Sequence, residues 1–135
     1  MATFTKFQPF VEALAEKVHN LGSDQLAVAF TNTAPNATDA TLSQITQITY
    51  TNLSSRNITT TTSAQTSGTY KLVLADCVMT ASGAVGPFRY VVIYNDTSAS
   101  DNLIAYYDYG SSISLASGET FTVDFDPSAG FLTIA

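Results

Sequence analysis

The chain contains one histidine, His19, and one cysteine, Cys77, so any nucleophilic or metal chemistry must be built from few parts. A serine nucleophile needs a base beside it. The only imidazole lies in VEALAEKVHN, a stretch with helical periodicity, and neither a second histidine nor a carboxylate is tied to it by spacing. In the last turn of such a helix, His19 is favoured as a cation at the negative end of the helix dipole. Cys77 sits in LADCVMT, at the end of an apolar run, where cysteine behaves as a small buried hydrophobe. A reactive thiolate needs exposure and neighbouring cations. A single cysteine also precludes an intrachain disulfide, which suits a protein assembled in a reducing cytoplasm.

Glu119, Asp124 and Asp126, in GETFTVDFD, offer the hard oxygen donors that calcium prefers. If a strand runs through both aspartates, they share a face about 7 Å apart. The spaced Asp-Asn-Gly loop of a calcium site does not accompany them, and strand charges also discourage unwanted edge pairing. Read as a glycosidase pair, they lack any sign that one carboxyl is buried with a raised pKa. ASGAVGP leads into a strand rather than the helix that a phosphate-cradling glycine loop requires. No catalytic, cofactor-binding or metal-binding residue is assigned, and the chain is read as a protein that is not an enzyme.

The most suggestive cluster is YYDYG, with Tyr106, Tyr107 and Tyr109 around Asp108. Successive strand residues point to opposite faces, so Tyr106 and Tyr107 differ in exposure. Such a strand could stack a sugar while the carboxylate accepts hydroxyl hydrogen bonds. It equally suits a core or subunit interface, where tyrosine offers a rigid apolar body with one polar tip. The absence of tryptophan weighs against the carbohydrate site.

These residues need elements to hold them, and composition says what kind. Charged residues are 12% of the chain, against about a quarter in ordinary globular proteins. Threonine and serine fill 20 and 14 positions, so the surface is largely hydroxyl and amide. Soluble monomers usually keep more charge, and a Thr-rich, sparsely ionised β surface suits packing against neighbours. A net charge of −6 with five Lys and Arg predicts no nucleic-acid partner and excludes docking to an anionic membrane. MATFTKFQPF lacks the basic start and apolar core of a signal peptide, and no apolar run approaches the roughly 20 residues of a membrane span. Four Asn-x-Ser/Thr triplets, at Asn36, Asn52, Asn57 and Asn95, are read as surface loops.

At 135 residues the chain is read as one domain: residues 1–22 a helix or arm, residues 23–135 a β-sandwich. Phe7, Phe10, Val11, Leu14, Val18 and Leu21 form an apolar stripe at helical spacing, with Gln8 or Thr5 as cap, Pro9 as the first helical residue and Gly22 as the stop. QLAVAFTN (25–32) is the first strand. A short helix from about Thr41 puts Leu42, Ile45 and Ile48 on one side, capped by Asp39 or Thr38. Residues 49–62 are polar and irregular, ending in SRNITTTT, an edge strand of weak register. SAQTSGT (63–69) is a turn, and YKLVLAD a core strand continuing towards Met79.

FRYVVIY and LIAYYDY form a hairpin across NDTSASDN. In the first of these, Phe88, Tyr90, Val92 and Tyr94 alternate with Arg89, Val91 and Ile93. Gly110 breaks the run, SISL is a short strand, and ASGE turns into TFTVDF, where Phe121, Val123 and Phe125 share a face. FLTIA closes the chain. Seven or eight short strands at this spacing predict a mainly β protein, an antiparallel sandwich of jelly-roll or immunoglobulin-like type with one N-terminal amphipathic helix.

Several stretches together, FTKFQPFVEALAEKVHNLGSDQLAVAFTNTAP, TSAQTSGTYKLVLAD, GPFRYVVIYNDTSAS and YYDYGSSISLASGETFTVDFD, resemble small structural proteins from the head and tail modules of tailed bacteriophages. The resemblance implies a nonenzymatic virion component, in particular a capsid decoration (cement) protein, or else a tail, neck or fibre part. With the low charge and the open edge, this predicts a homo-oligomer, a dimer or trimer, contacting the major capsid protein or another virion protein after assembly in the host bacterial cytoplasm. The candidate contact residues are Phe7, Phe10 and Leu14 on the helix, Asn57, Ile58 and Thr60 on the Thr-rich edge, and Tyr106 and Tyr107. From another class, the tyrosine strand leaves a carbohydrate-binding module open.

Overall fold

A computed structural model describes residues 2–135. In chain order the elements are β1 (Thr3–Lys6), α1 (Pro9–Ala15), β2 (Leu26–Thr31), a 3₁₀ turn (Leu42–Gln44), β3 (Asn57–Ile58), β4 (Thr60–Thr66) and β5 (Thr69–Leu74). They continue as β6 (Cys77–Thr80), β7 (Val85–Asn95), β8 (Leu103–Leu115), β9 (Thr120–Val123) and β10 (Leu132–Ile134). The protein is mainly β, with three antiparallel sheets: β1-β8-β7-β2-β3, β10-β5-β4 and β6-β9. The main core lies between the first sheet and the other two, as in a sandwich. It contains Leu26, Val28 and Phe30 of β2, Leu72 and Leu74 of β5, Met79 of β6, Phe88 and Val91 of β7, and Phe125.

β2 is enclosed on both faces. Its larger side chains enter the main core, while Ala27 and Ala29 face a second cluster with Phe7, Ile45, Val92, Tyr94 and Leu103. That second cluster is roofed by the N-terminal segment and the loop after β2. Arg56 ties the far end of this loop down: its guanidinium donates to the Val28 carbonyl and lies 3.8 Å over the Tyr50 ring. Tyr50 Oη in turn accepts from the Phe30 N–H at 2.9 Å.

The N-terminal helix is shorter than its periodicity predicts. Residues 3–6 are a strand paired with β8, and the pairing extends to Phe7, whose N–H donates to the Ile104 carbonyl at 3.0 Å. The N-terminal segment from residue 3 is therefore no detached arm, because β1 is an edge of the five-stranded sheet. Gln8 and Pro9 occupy the cap and first helical positions as expected, although the Gln8 side chain makes no capping bond. The helix stops at Ala15, and Lys17, at φ 68°, reverses the chain where Gly22 was expected to. Val11 and Val18 of the predicted stripe are exposed, while Leu21 is buried from non-helical backbone. A short isolated helix is marginal in water, so burying Leu21 and His19 against the sheet outweighs continuing it.

The helix expected from Thr41 is a single 3₁₀ turn, with Thr41 at its cap and the Gln44 side chain accepting from the Ala40 and Thr41 N–H groups. Leu42 and Ile45 pack on the second cluster and Ile48 on the main core, so the three do not share a side. The turn expected over residues 63–69 contracts to Ser67–Gly68, both left-handed (φ 51° and 84°), closing a β4–β5 hairpin of the type I′ class. The core strand expected to run on to Met79 is divided between β5 and β6, which lie in different sheets.

The β7–β8 hairpin forms as expected, but Gly110 does not end its second strand. At φ 99° it sits in a bulge: Phe88 pairs with Ile113 and Tyr90 with Asp108, so residues 109–112 of β8 stand opposite Arg89 alone. β7 changes phase at the same place. Phe88 and Val91, three residues apart, both enter the main core, whereas Val92 and Tyr94 face the second cluster. The expected single face of Phe88, Tyr90, Val92 and Tyr94 is thus split after Phe88. Phe121, Val123 and Phe125 do pack together on the main core.

Candidate functional site

The residue types that could do chemistry are mostly committed to structure. His19 lies beyond the helix, buried against the Phe10 ring at 5.1 Å. Asn95 Nδ2 donates to His19 Nδ1 at 3.0 Å and to Asp24 Oδ2 at 2.6 Å, and Asn95 Oδ1 accepts from the Thr97 and Ser98 N–H groups. Burial pushes the His19 pKa down, partly opposed by Asp24, so it is a neutral core histidine rather than the expected cation at a helix end. Its Nε2 is buried without a partner among the described residues. Asn95, expected in a surface loop, is fully buried at the end of β7, and Asn57 is an exposed residue of β3. Cys77 is buried, with Sγ 3.6 Å from the Asn57 carbonyl and its pKa raised by burial.

The strand that would carry both aspartates on one face stops short of them. β9 ends at Val123, and Asp126 Oδ1 accepts from the Ser128 and Ala129 N–H groups, which hold its pKa below 3.8. Glu119 closes the preceding turn by accepting from the Ala116 N–H at 2.7 Å. Among the described residues, no group of three or more His, Cys, Asp and Glu is placed to hold a metal.

In the tyrosine strand, Asp108 accepts from Arg89 Nε at 2.8 Å and Nη2 at 3.0 Å, and also from the Gly110 N–H. Both partners are held in their charged forms by this pair. Asp108 is therefore spoken for as a sugar ligand. Tyr106 and Tyr107 take opposite faces, as the strand period requires: the Tyr106 ring packs tilted against Phe7 and the Tyr107 ring meets Phe4 edge-on. Burial raises the Tyr107 pKa to about 12. Tyr109, 48% exposed at the bulge, is the ring that reaches solvent. It borders a cleft of about 370 Å³ with Tyr107, Phe121, Val91 and Asp124.

The contact residues predicted for the helix and edge divide sharply. Phe7, Phe10 and Ile58 are 0%, 5% and 3% exposed and belong to the core, so they offer nothing to a partner. A helical stripe and a core-facing stripe look alike in sequence, and here the stripe is turned inward. Leu14 is half-buried against the main core. Asn57 and Thr60 are accessible on β3 and at the start of β4. β3 is one edge of the five-stranded sheet, and β4, with no buried residue, is one edge of the three-stranded sheet.

The remaining exposed apolar side chains were not anticipated: Phe4, Val78 and Ile134, together with Val11 and Val18 from the predicted stripe. Phe4 on β1 and Leu132 and Thr133 on β10 line a shallow groove between two sheet edges, where the Phe4 ring meets Phe131 at 6.0 Å. The alternation of TFTK was the available signal for β1. No helix among the described residues is long and apolar enough to cross a membrane. Comparison with protein-family models, with curated proteins and with solved structures finds no match to this chain.

Proposed function

We propose that the chain is a structural protein of a tailed-phage particle, a capsid decoration (cement) protein that holds the head shell through weak contacts repeated by symmetry. The observation that carries this reading is β4, a seven-residue edge strand, uncharged and open on both faces, in a chain with few charges anywhere. Contacts of this kind need flat polar surface and strand edges rather than a pocket, and repetition turns a modest contact into a durable one. The partner is the major capsid protein or another virion protein, joined by further copies of this chain.

Quantitative mass spectrometry of purified particles tests the reading. A copy number that scales with the shell subunits supports decoration. A number set by the portal or tail symmetry assigns the chain to the neck, tail or fibre. Absence from particles overturns the reading.

The cleft beside Tyr109 favours a second reading, a carbohydrate-binding module, because an exposed ring and the Asp124 carboxylate border one concave surface. Glycan-array binding that disappears in Tyr109→Ala and survives in Tyr106→Ala would support it. A blank array removes it.

A further inference from the structure

We infer that β4 pairs with β4 of a second copy about a twofold axis at Ala64, joining two three-stranded sheets into one of six strands. The inference rests on the reading of the open edges as assembly surfaces and names the occupant of one of them.

β4 is the longest unpaired sheet edge. Its one partner is β5, and among the described residues none of its backbone groups bonds to any other segment. The competing edges are less suited. β3 has two residues and β10 three, while β1 carries Lys6 and an exposed Phe4 turned towards Phe131. Edge strands are normally protected by lysine, proline or a bulge. β4 has only the bulge, between Thr60 and Thr62, and it leaves Thr62–Thr66 in regular register with β5.

That regular stretch decides the register. The two-residue turn at Ser67–Gly68 closes on the Thr66–Thr69 pair, and such hairpins close on a hydrogen-bonded pair. Alternation then turns the backbone groups of Ser63 and Gln65 outward, away from β5. Two antiparallel copies satisfy all of these groups when Ser63 of each faces Gln65 of the other. Ala64 then meets its own copy on the axis and Thr62 faces Thr66. The pairs are hydroxyl with amide, hydroxyl with hydroxyl, and methyl with methyl, each complementary to itself under a twofold rotation. The smallest side chain of the strand lies where the two copies approach most closely.

Charge points to the same occupant. The chain carries −6 overall, yet residues 57–70 contain no ionised side chain, so two copies meet here without opposing carboxylates. Along the chain the nearest flanking charges are Arg56 and Lys71, and in space Lys17 and Asp24 border a cleft with Ser63 on a face of the sheet rather than along the β4 edge. Lys71 lies beside Ala64 in the β4–β5 register, and its ammonium is drawn away to the Ser128 carbonyl at 2.8 Å. Across the joined sheet the two Lys71 backbones are about 14 Å apart, three strand spacings and beyond the screening length at physiological salt. One strand pair buries less than the roughly 1,200 Å² of a stable complex, so the association is weak in solution and gains from repetition on a lattice.

Oxidative trapping reads so weak a contact directly. In a Cys77→Ala background, Ala64→Cys places two thiols at a non-hydrogen-bonded pair, with Cα atoms about 4.5 Å apart and within disulfide reach. Thr66→Cys, equally exposed, has its own copy about 14 Å away along the strand, out of reach. Both variants are checked for an unchanged thermal melt. The expected result is a covalent dimer from Ala64→Cys forming about tenfold faster or more than from Thr66→Cys, and suppressed when Thr62→Lys is added. Equal rates at the two positions, or no dimer at either, overturns the pairing. Dimer trapping in a protein absent from particles would leave the pairing intact and sink the particle reading. Particle-bound copies with no trapped dimer would do the reverse.

Discussion

β2 and β4 are uncharged strands of similar length, yet every residue of β2 is buried and no residue of β4 is. The backbone conformation is the same, so the difference lies in what surrounds each strand. β2 has β7 and β3 on its flanks, the main core on one face and the Phe7 cluster on the other. β4 has β5 on one flank and water on the other. A strand enclosed on four sides contributes stability in proportion to its apolar area. One enclosed on a single side contributes little and is available for contact.

The sharpest way to break that contrast is Phe30→Ala in β2. The ring packs on Phe88 at 4.3 Å and Phe121 at 5.6 Å, and its loss leaves a cavity costing about 3–5 kcal/mol. Against a domain stability of about 5–15 kcal/mol, the denaturant midpoint should fall steeply. A loss below about 1 kcal/mol would mean that the core between the sheets is loosely packed.

Asn95, which pairs with Leu26 at the start of β2, comes next. Asn95→Ala strands His19, Asp24 and the Thr97 and Ser98 N–H groups, with an expected cost of about 2–3 kcal/mol by the same unfolding measurement.

A smaller effect follows from pH. The folded protein holds the His19 pKa below its ordinary 6.5, so below that value the unfolded chain binds the proton more readily. Stability should fall as the pH drops from 6.5 towards the folded pKa, and level off beneath it as far as this group is concerned. His19→Gln should flatten unfolding midpoints between about pH 7 and about pH 5. An unchanged slope would place the titration elsewhere. Asp108 and Asp126 act in a separate window: their depressed pKa values stabilise the fold above 3.8, and that contribution is lost as the pH falls through the folded values.

The smallest effect belongs to β4. Thr62→Lys should change stability by no more than about 0.5 kcal/mol, as exposed substitutions generally do. A large loss of thermal stability in this variant would show that the strand is not the open edge that contrasts with β2.

Much of the strand layout was legible because alternation and turn residues are local signals. LAVAFT, the β7–β8 hairpin, the ASGE turn and the final strand all lie where the pattern puts them. The failures share a cause: each depends on a contact distant in sequence. The stripe from Phe7 to Leu21 reads as a helix, and only the pairing of Thr3–Lys6 with β8 reveals that Phe7 closes the outer face of the sheet. The bulge opposite Phe88 is invisible until β7 and β8 are in register. At the candidate surface, the edge character of the Thr-rich segment was readable from its lack of charge and of alternation. The burial of Ile58, Phe7 and Phe10 was not, and neither was the diversion of Asp108 to Arg89.

By itself, the amino-acid sequence determined that this is a β-rich chain with sparse charge and a polar, Thr-rich edge, since composition and period 2 act locally. Tertiary structure alone decided which apolar side chains face inward and which asparagine and histidine are buried together. Each of those outcomes depends on segments meeting across many residues, where burial energy outweighs local preference.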